Sequence, residues 1–290
     1  MRDLNSSASN AKKWITSRPR PWVVVDWGFL RSLPANSGIP GTFTAIVPDR
    51  VFLEACLANK PAFVDKLSRV LKHPQSHGRV LLGQYWNDIA DKEHNPRRIC
   101  SGSQTAPHAQ YSADLYDWQL SGDHLSGSPE LRRIAESAND KKPSFVVLVN
   151  AFAEWLKQER PENYRKLVSA GIDHRVKAIR DESDSVRHMA LGISRRFSRK
   201  AWRSHLGRFP ERSAVGRWIR TIAWYAMDTV ARPDVNDEKR GNDYDDSHYV
   251  FLSLYTNHIL TQDSGLGVAA QAISGGRVRV HRSAETIPRY

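Results

Sequence analysis

The residues that could do chemistry here are carboxylates. Asp26 closes "VVVD", Glu54 lies inside "VFLEA", Asp243, Asp245 and Asp246 crowd "NDYDD", and Asp263 closes "TQD". The chain around them is basic, with 43 Lys and Arg against 31 Asp and Glu, a formal charge of +12. Several carboxylates gathered in one cleft repel one another and do not all stay ionised unaided. A divalent cation relieves that repulsion, and a set of oxygen donors suits Mg²⁺ or Mn²⁺. Such an ion activates water and stabilises the leaving oxygen of a phosphodiester. An acidic pocket on a basic surface therefore describes a nuclease: the acids hold metal and the bases hold backbone phosphates.

Each acid also has a simpler role. Asp26 and Asp263 can cap a helix or sit in a turn. Asp243, Asp245 and Asp246 suit the start of a helix, where acids meet the positive end of the dipole. Glu54 sits among Val51, Phe52, Leu53 and Ala55, where a buried charge is costly unless it is bound to something. Helical spacing puts Asp246 on the side of Tyr249 and Val250, towards the core. Asp243 comes next on that side, and Asp245 is expected to face solvent.

These residues need elements to place them. Val23, Val24 and Val25, between Pro21 and Gly28, read as a buried strand ending at Asp26. "GTFTAIV" reads as a second strand, followed by a helix that Asp49 can cap. "GRVLLGQYW" is a further strand candidate. "SFVVLVNAFAEWLKQERPENYRKLVSA" opens like a strand and continues with helical spacing. "AVGRWIRTIAWYAMDTVA" is a helix with Trp218, Ile222, Tyr225 and Thr229 on one face, followed by a polar connection. "NHILTQD" reads as a strand ending in Asp263, and "GGRVRV" as the last strand. In an open parallel sheet, the carboxyl ends of the strands form the site edge, so Asp26 and Asp263 converge if their strands are neighbours.

Between these parts lies "GISRRFSRKAWRSHLGRF", in which Arg and Lys alternate with aromatic residues. Arg195, Arg196, Arg199, Lys200 and Arg203 are candidate phosphate clamps, and Trp202 can stack on an unpaired base. Two cysteines, Cys56 and Cys100, do not make a disulfide framework. His73 and His77 are separated by Pro74 and do not read as a zinc pair. "GLGVAA" fits a dinucleotide fingerprint only weakly. No apolar run is long enough to span a bilayer, and a cytoplasmic protein is expected.

"VVVDWGFL", "IVPDRVFLEACL", "NDYDDSHYVFLSLYTNHILTQDSGL" and "GGRVRV" resemble, in that order, the blocks of PIN-domain nucleases. The resemblance implies an α/β fold, a three-layer α/β/α arrangement with a central parallel sheet, and an Mg²⁺ or Mn²⁺ site that cleaves RNA, with DNA as a second possible substrate. It matches Asp26, Glu54, Asp246 and Asp263 to the family's acids, Asp243 to a helper, and Thr261 to the hydroxyl residue of the last block. The family's small polar residue after the first aspartate is replaced here by Trp27 and Gly28. On this reading residues 1–20 are a flexible basic leader. Residues 21–70 and 241–290 form the core, and 71–240 are a mostly helical, basic insertion, parts of which can complete that core. The alternative is an RNA-binding module of weak catalytic power, or a toxin-type protein whose cleft an inhibitory protein partner blocks.

Overall fold

The structure, a computed structural model, describes residues 20–34, 36–52, 61–86, 89–90, 112–129, 131–133, 136, 142–182, 184–189, 213–232 and 237–288. Its centre is a parallel sheet of β1 (Trp22–Val25), β2 (Thr44–Pro48), β3 (Val80–Gly83), β4 (His258–Leu260) and β5 (Arg279–His281). The spatial order is β3-β2-β1-β4-β5. The three valines of β1 are fully buried, as a central strand of a parallel sheet requires. β3 comes from the segment read as an insertion, and it completes one edge of the sheet.

Helices surround the sheet, among them α1 (Trp27–Ser32), α2 (Pro61–Lys72), α3 (Ser112–Leu120), α4 (Lys142–Glu159), α5 (Pro161–Asp181), α6 (Ala214–Ala231), α7 (Asp237–Thr256) and α8 (Ser264–Ser274). α7 lies over β1, β2 and β4, while α6 packs on α7 and against α4 and α5. The chain is an α/β protein with an all-parallel sheet.

Several local expectations change. "SFVVLVN" is helical from its start, and Pro161 divides α4 from α5 because proline is tolerated only in a helix's first turn. β2 runs through Pro48, and Asp49 is already helical rather than a cap. The strand in "NHILTQD" ends at Leu260, and Asp263 caps α8 instead of closing the strand. α6 is buried on nearly every side, so its apolar pattern is wider than one face. The nominal fingerprint "GLGVAA" lies within α8. His73 accepts at Nδ1 from Gln75 N, and His77 bonds the Lys72 carbonyl through Nε2, so both serve the turn after α2.

A single residue joins α7 to β4. Asn257 adopts φ 58°, a left-handed conformation that asparagine tolerates better than other non-glycine residues. Its N–H donates to the Ser253 carbonyl at 2.9 Å. Thr256 Oγ1 donates to the His258 carbonyl at 2.8 Å. These bonds fix the angle at which the chain leaves the helix. Asn257→Gly is therefore expected to be tolerated, whereas Asn257→Val should destabilise the protein by about 1–2 kcal/mol in chemical denaturation.

β4 and β5 also share a buried histidine pair. Thr286 Oγ1 donates to the Ser283 carbonyl, which leaves its oxygen to accept from His281 Nδ1 at 3.1 Å. His281 Nε2 then accepts from His258 Nδ1 at 3.0 Å. Burial, then neighbouring positive charge from Arg279 and, at His258, from His281, holds both rings below the ordinary 6.5. A depressed histidine contributes stability that is full above the unfolded value and is lost as pH falls below it. Thermal unfolding should show that acid loss beginning below about pH 6.5, and a His258→Gln, His281→Gln double variant should show less of it.

Candidate functional site

The strand order reverses between β1 and β4. Connections from β1 lead outward through β2 to β3, and the chain then returns to the other side of β1. Such a switch point opens a crevice at the carboxyl ends of the two strands. The register pairs Val24 with Ile259 and Val25 with Leu260, so the next residues, Asp26 and Thr261, meet at that edge. The Asp26 N–H donates to the Leu260 carbonyl at 3.2 Å and continues the ladder. Thr261 is fully buried, and its Oγ1 donates to Asp26 Oδ2. The same Oγ1 accepts from the Asp263 N–H at 3.0 Å. One hydroxyl thus ties the two expected acids together.

Both acids also cap helices. Phe29 N donates to Asp26 Oδ1 at 2.6 Å, and Leu266 N donates to Asp263 Oδ1 at 2.9 Å. Capping accounts for where these carboxylates point, and each carboxylate keeps further lone pairs for another partner. Burial raises the Asp26 pKa despite the bonds from Thr261, Phe29 and Gln262, and the charge of Asp263 adds to the rise.

The acids of "NDYDD" arrive from α7. The helix begins at Asp237, so Asp243, Asp245 and Asp246 lie within it rather than at its positive N-terminus as expected. They gain little from the dipole, which acts within the first turn. Asp246 is pushed up to about 8, first by burial and then by the charges of Asp263, Asp243, Asp245 and Asp26. Asp245 does not face solvent: its side chain is 17% exposed and pairs with the buried guanidinium of Arg50. That guanidinium also lies 5.0 Å from the Tyr244 ring centroid. α7 therefore presents Asp246 to the acids at the ends of β1 and β4, and Asp245 to the residue that follows Asp49 beyond β2. Asp49 in turn pairs with His248 of α7 at 3.4 Å.

The structure unites Asp26, Thr261 and Asp263 by hydrogen bonds and couples Asp243 and Asp246 to them by charge. Glu54 and the proposed clamps Arg195, Arg196, Arg199, Lys200, Trp202 and Arg203 lie outside the described residues. Among the described residues, no three Asp, Glu, His or Cys side chains are gathered closely enough to hold one ion. The donor chemistry nevertheless fits Mg²⁺ or Mn²⁺, because the carboxylates that sense one another supply only oxygen. Trp27 packs edge-on against Phe63, with ring centroids 3.6 Å apart. A Cβ on Gly28 would sit 3.5 Å from both Asp26 oxygens, so this position adds no polar support to the carboxylate.

Arg50 was not among the expected site residues. Its signal was a permanent charge within the apolar run "IVPDRVFL".

Fold and site together define a parallel α/β protein with acidic residues at the switch point of its sheet. Compared with protein-family models, curated proteins and solved structures, the chain matches none.

The raised Asp246 has a pH signature of its own. Protonation of an acid whose pKa is raised on folding contributes stability that is full below its unfolded value, near 3.8, and lost as pH rises through about 8. Melting temperature should therefore fall from about pH 4 to about pH 8 and level off above that. Asp246→Asn should flatten that decline and raise the melting temperature at the alkaline end.

Proposed function

We propose that this chain is a metal-dependent endoribonuclease of the PIN-like kind, with a three-layer α/β/α core, acting in the cytoplasm. The observation that carries this reading is the meeting of Asp26, Thr261 and Asp263 at the switch point of the sheet, joined by one hydroxyl. Asp246 is half-buried, and desolvation first, then the charges of Asp263, Asp243, Asp245 and Asp26, pushes its pKa up to about 8. A divalent cation is the simplest ligand that would let all of them ionise. Asp26, Asp246 and Asp263 would hold Mg²⁺ or Mn²⁺, with Asp243 and Glu54 completing the set. The ion would supply water activation and charge neutralisation at a scissile phosphodiester. Thr261 holds Asp26 in place through its hydroxyl, and the charge of +12 favours an RNA backbone.

A second reading also has an observation in its favour. Trp27 is engaged with Phe63, and Gly28 offers no side chain, so Asp26 lacks the polar neighbour common in the resembling family. This suits an RNA-binding module of weak catalytic power, or a partner of an inhibitory protein that covers the crevice.

Asp26→Asn separates the readings. The nuclease reading expects cleavage of single-stranded RNA in Mg²⁺ or Mn²⁺ to fall at least about a hundredfold, since a buried metal-ligating charge is lost, with RNA affinity nearly unchanged. Undiminished cleavage by that variant would overturn the assignment. Tight, salt-sensitive RNA binding by the native protein with no turnover in either metal would establish the binding module. Single-stranded DNA assayed in parallel resolves the substrate.

A further inference from the structure

The carboxyl edge that gathers the acids also carries a cation. The register pairs Val25 with Leu260 and Leu260 with His281. The ladder runs one step further on both sides of β4: Asp26 N–H donates to the Leu260 carbonyl, and Thr261 N–H donates to the His281 carbonyl at 3.0 Å. The next row across three adjacent strands is therefore Asp26, Thr261 and Arg282. Neighbouring strands lie about 4.8 Å apart, so the backbone of Arg282 stands roughly 10 Å from that of Asp26.

Arg282 is exposed, and its guanidinium is held from two sides. Nη1 donates at 3.1 Å to the carbonyl of Thr261, the residue whose hydroxyl binds Asp26. Nη2 lies against the first turn of α8, where a Cβ on Gly267 would stand 3.5 Å from it. The absence of a side chain at Gly267 leaves the guanidinium its place. Among the described residues Arg282 forms no ion pair. α8 carries no charged residue, and its cap Asp263 turns Oδ1 to Leu266 N instead. A cation at the positive end of a helix gains nothing from the dipole. Fold stability therefore does not call for this charge, whereas an anion would be drawn to both the helix end and the arginine. One of five N–H donors is used, and the rest of an exposed planar fork suits a phosphate.

We propose that Arg282 is the phosphate-binding residue beside the acids: its guanidinium takes a backbone phosphate of a single-stranded RNA whose neighbouring phosphodiester lies at the acids. This rests on the nuclease reading above and names the group that meets the charge of the strand itself.

The test uses two variants of the full chain. Arg282→Gln removes the charge and keeps an N–H donor for the Thr261 carbonyl, and Arg282→Lys keeps the charge and loses the fork. Affinity for a single-stranded RNA oligonucleotide in Ca²⁺ is measured over a salt series, with Mn²⁺ affinity and melting temperature alongside. Arg282→Gln should lower RNA affinity about 10- to 100-fold, the range for a hydrogen bond to a charged group. It should also reduce the slope of log affinity against log salt by about 0.7, the change for one phosphate contact on a single strand. Arg282→Lys should keep the native slope. Mn²⁺ affinity should not fall, and melting temperature should hold, in either variant. A native slope in Arg282→Gln would overturn the proposal, and so would an equal loss of slope in Arg282→Lys. If Asp26→Asn loses cleavage while Arg282→Gln keeps the native slope, the acidic site stands and Arg282 falls. If RNA binding depends on Arg282 in a protein that cleaves nothing, Arg282 stands and the nuclease reading falls. A native protein that neither binds nor cleaves the oligonucleotide overturns both.

Discussion

Parallel pairing of β1 with β4 sets Thr261 opposite Asp26, and the acidic crevice depends on that register. The pairing of Val25 with Leu260 is followed by a hydroxyl-to-carboxylate bond, and the same hydroxyl accepts the Asp263 N–H. A one-residue slip would turn every β4 side chain to the opposite face of the sheet. Thr261 would then leave Asp26, and the buried carboxylate would lose one of the bonds that offset its desolvation. The strands are short, so the apolar contacts of Val23, Val24, Ile259 and Leu260 in the shared core hold the register as much as the ladder does.

The second constraint is the tight return from α7 into β4. Ten residues of helix from Asp246 to Thr256 rise about 15 Å. Only Asn257 separates the helix from β4, so the chain turns straight back along α7, and the residues beyond the strand, Thr261 and Asp263, come to the neighbourhood of Asp246. Like charges thus approach in a buried place, which raises the pKa of Asp246. The neighbouring Asp245 escapes this because the helix turns it towards Arg50. Adjacent aspartates on one helix therefore have opposite electrostatic fates, one balanced by an arginine and one surrounded by acids.

A large part of the scaffold was legible in the sequence. Val23 to Val25, "GTFTAIV", "GRVLLGQYW" and "NHILTQD" read as strands because short apolar runs rich in β-branched residues, bounded by Pro, Gly and Asp, have few other uses. Boundaries were less legible. α7 begins at Asp237, inside a stretch read as a polar connection, where no apolar periodicity marks a helix. "SFVVLVN" is helical although its residues favour strands, because packing against α6 overrides intrinsic preference.

From sequence alone follow the acid-bearing ends of apolar runs and the parallel α/β class, since both depend on neighbouring residues and on side-chain periodicity. Asp26 and Asp263 belong to that part: each follows a strand and precedes a helix, whatever else the chain does. Tertiary structure alone decided that β1 and β4 are neighbours, that Asp245 belongs to Arg50, and that Asp246 is coupled to acids from other elements. The physical reason is that desolvation and charge coupling depend on distances between segments far apart in the chain. Those distances exist only once the sheet has chosen its order and the helices have closed over it.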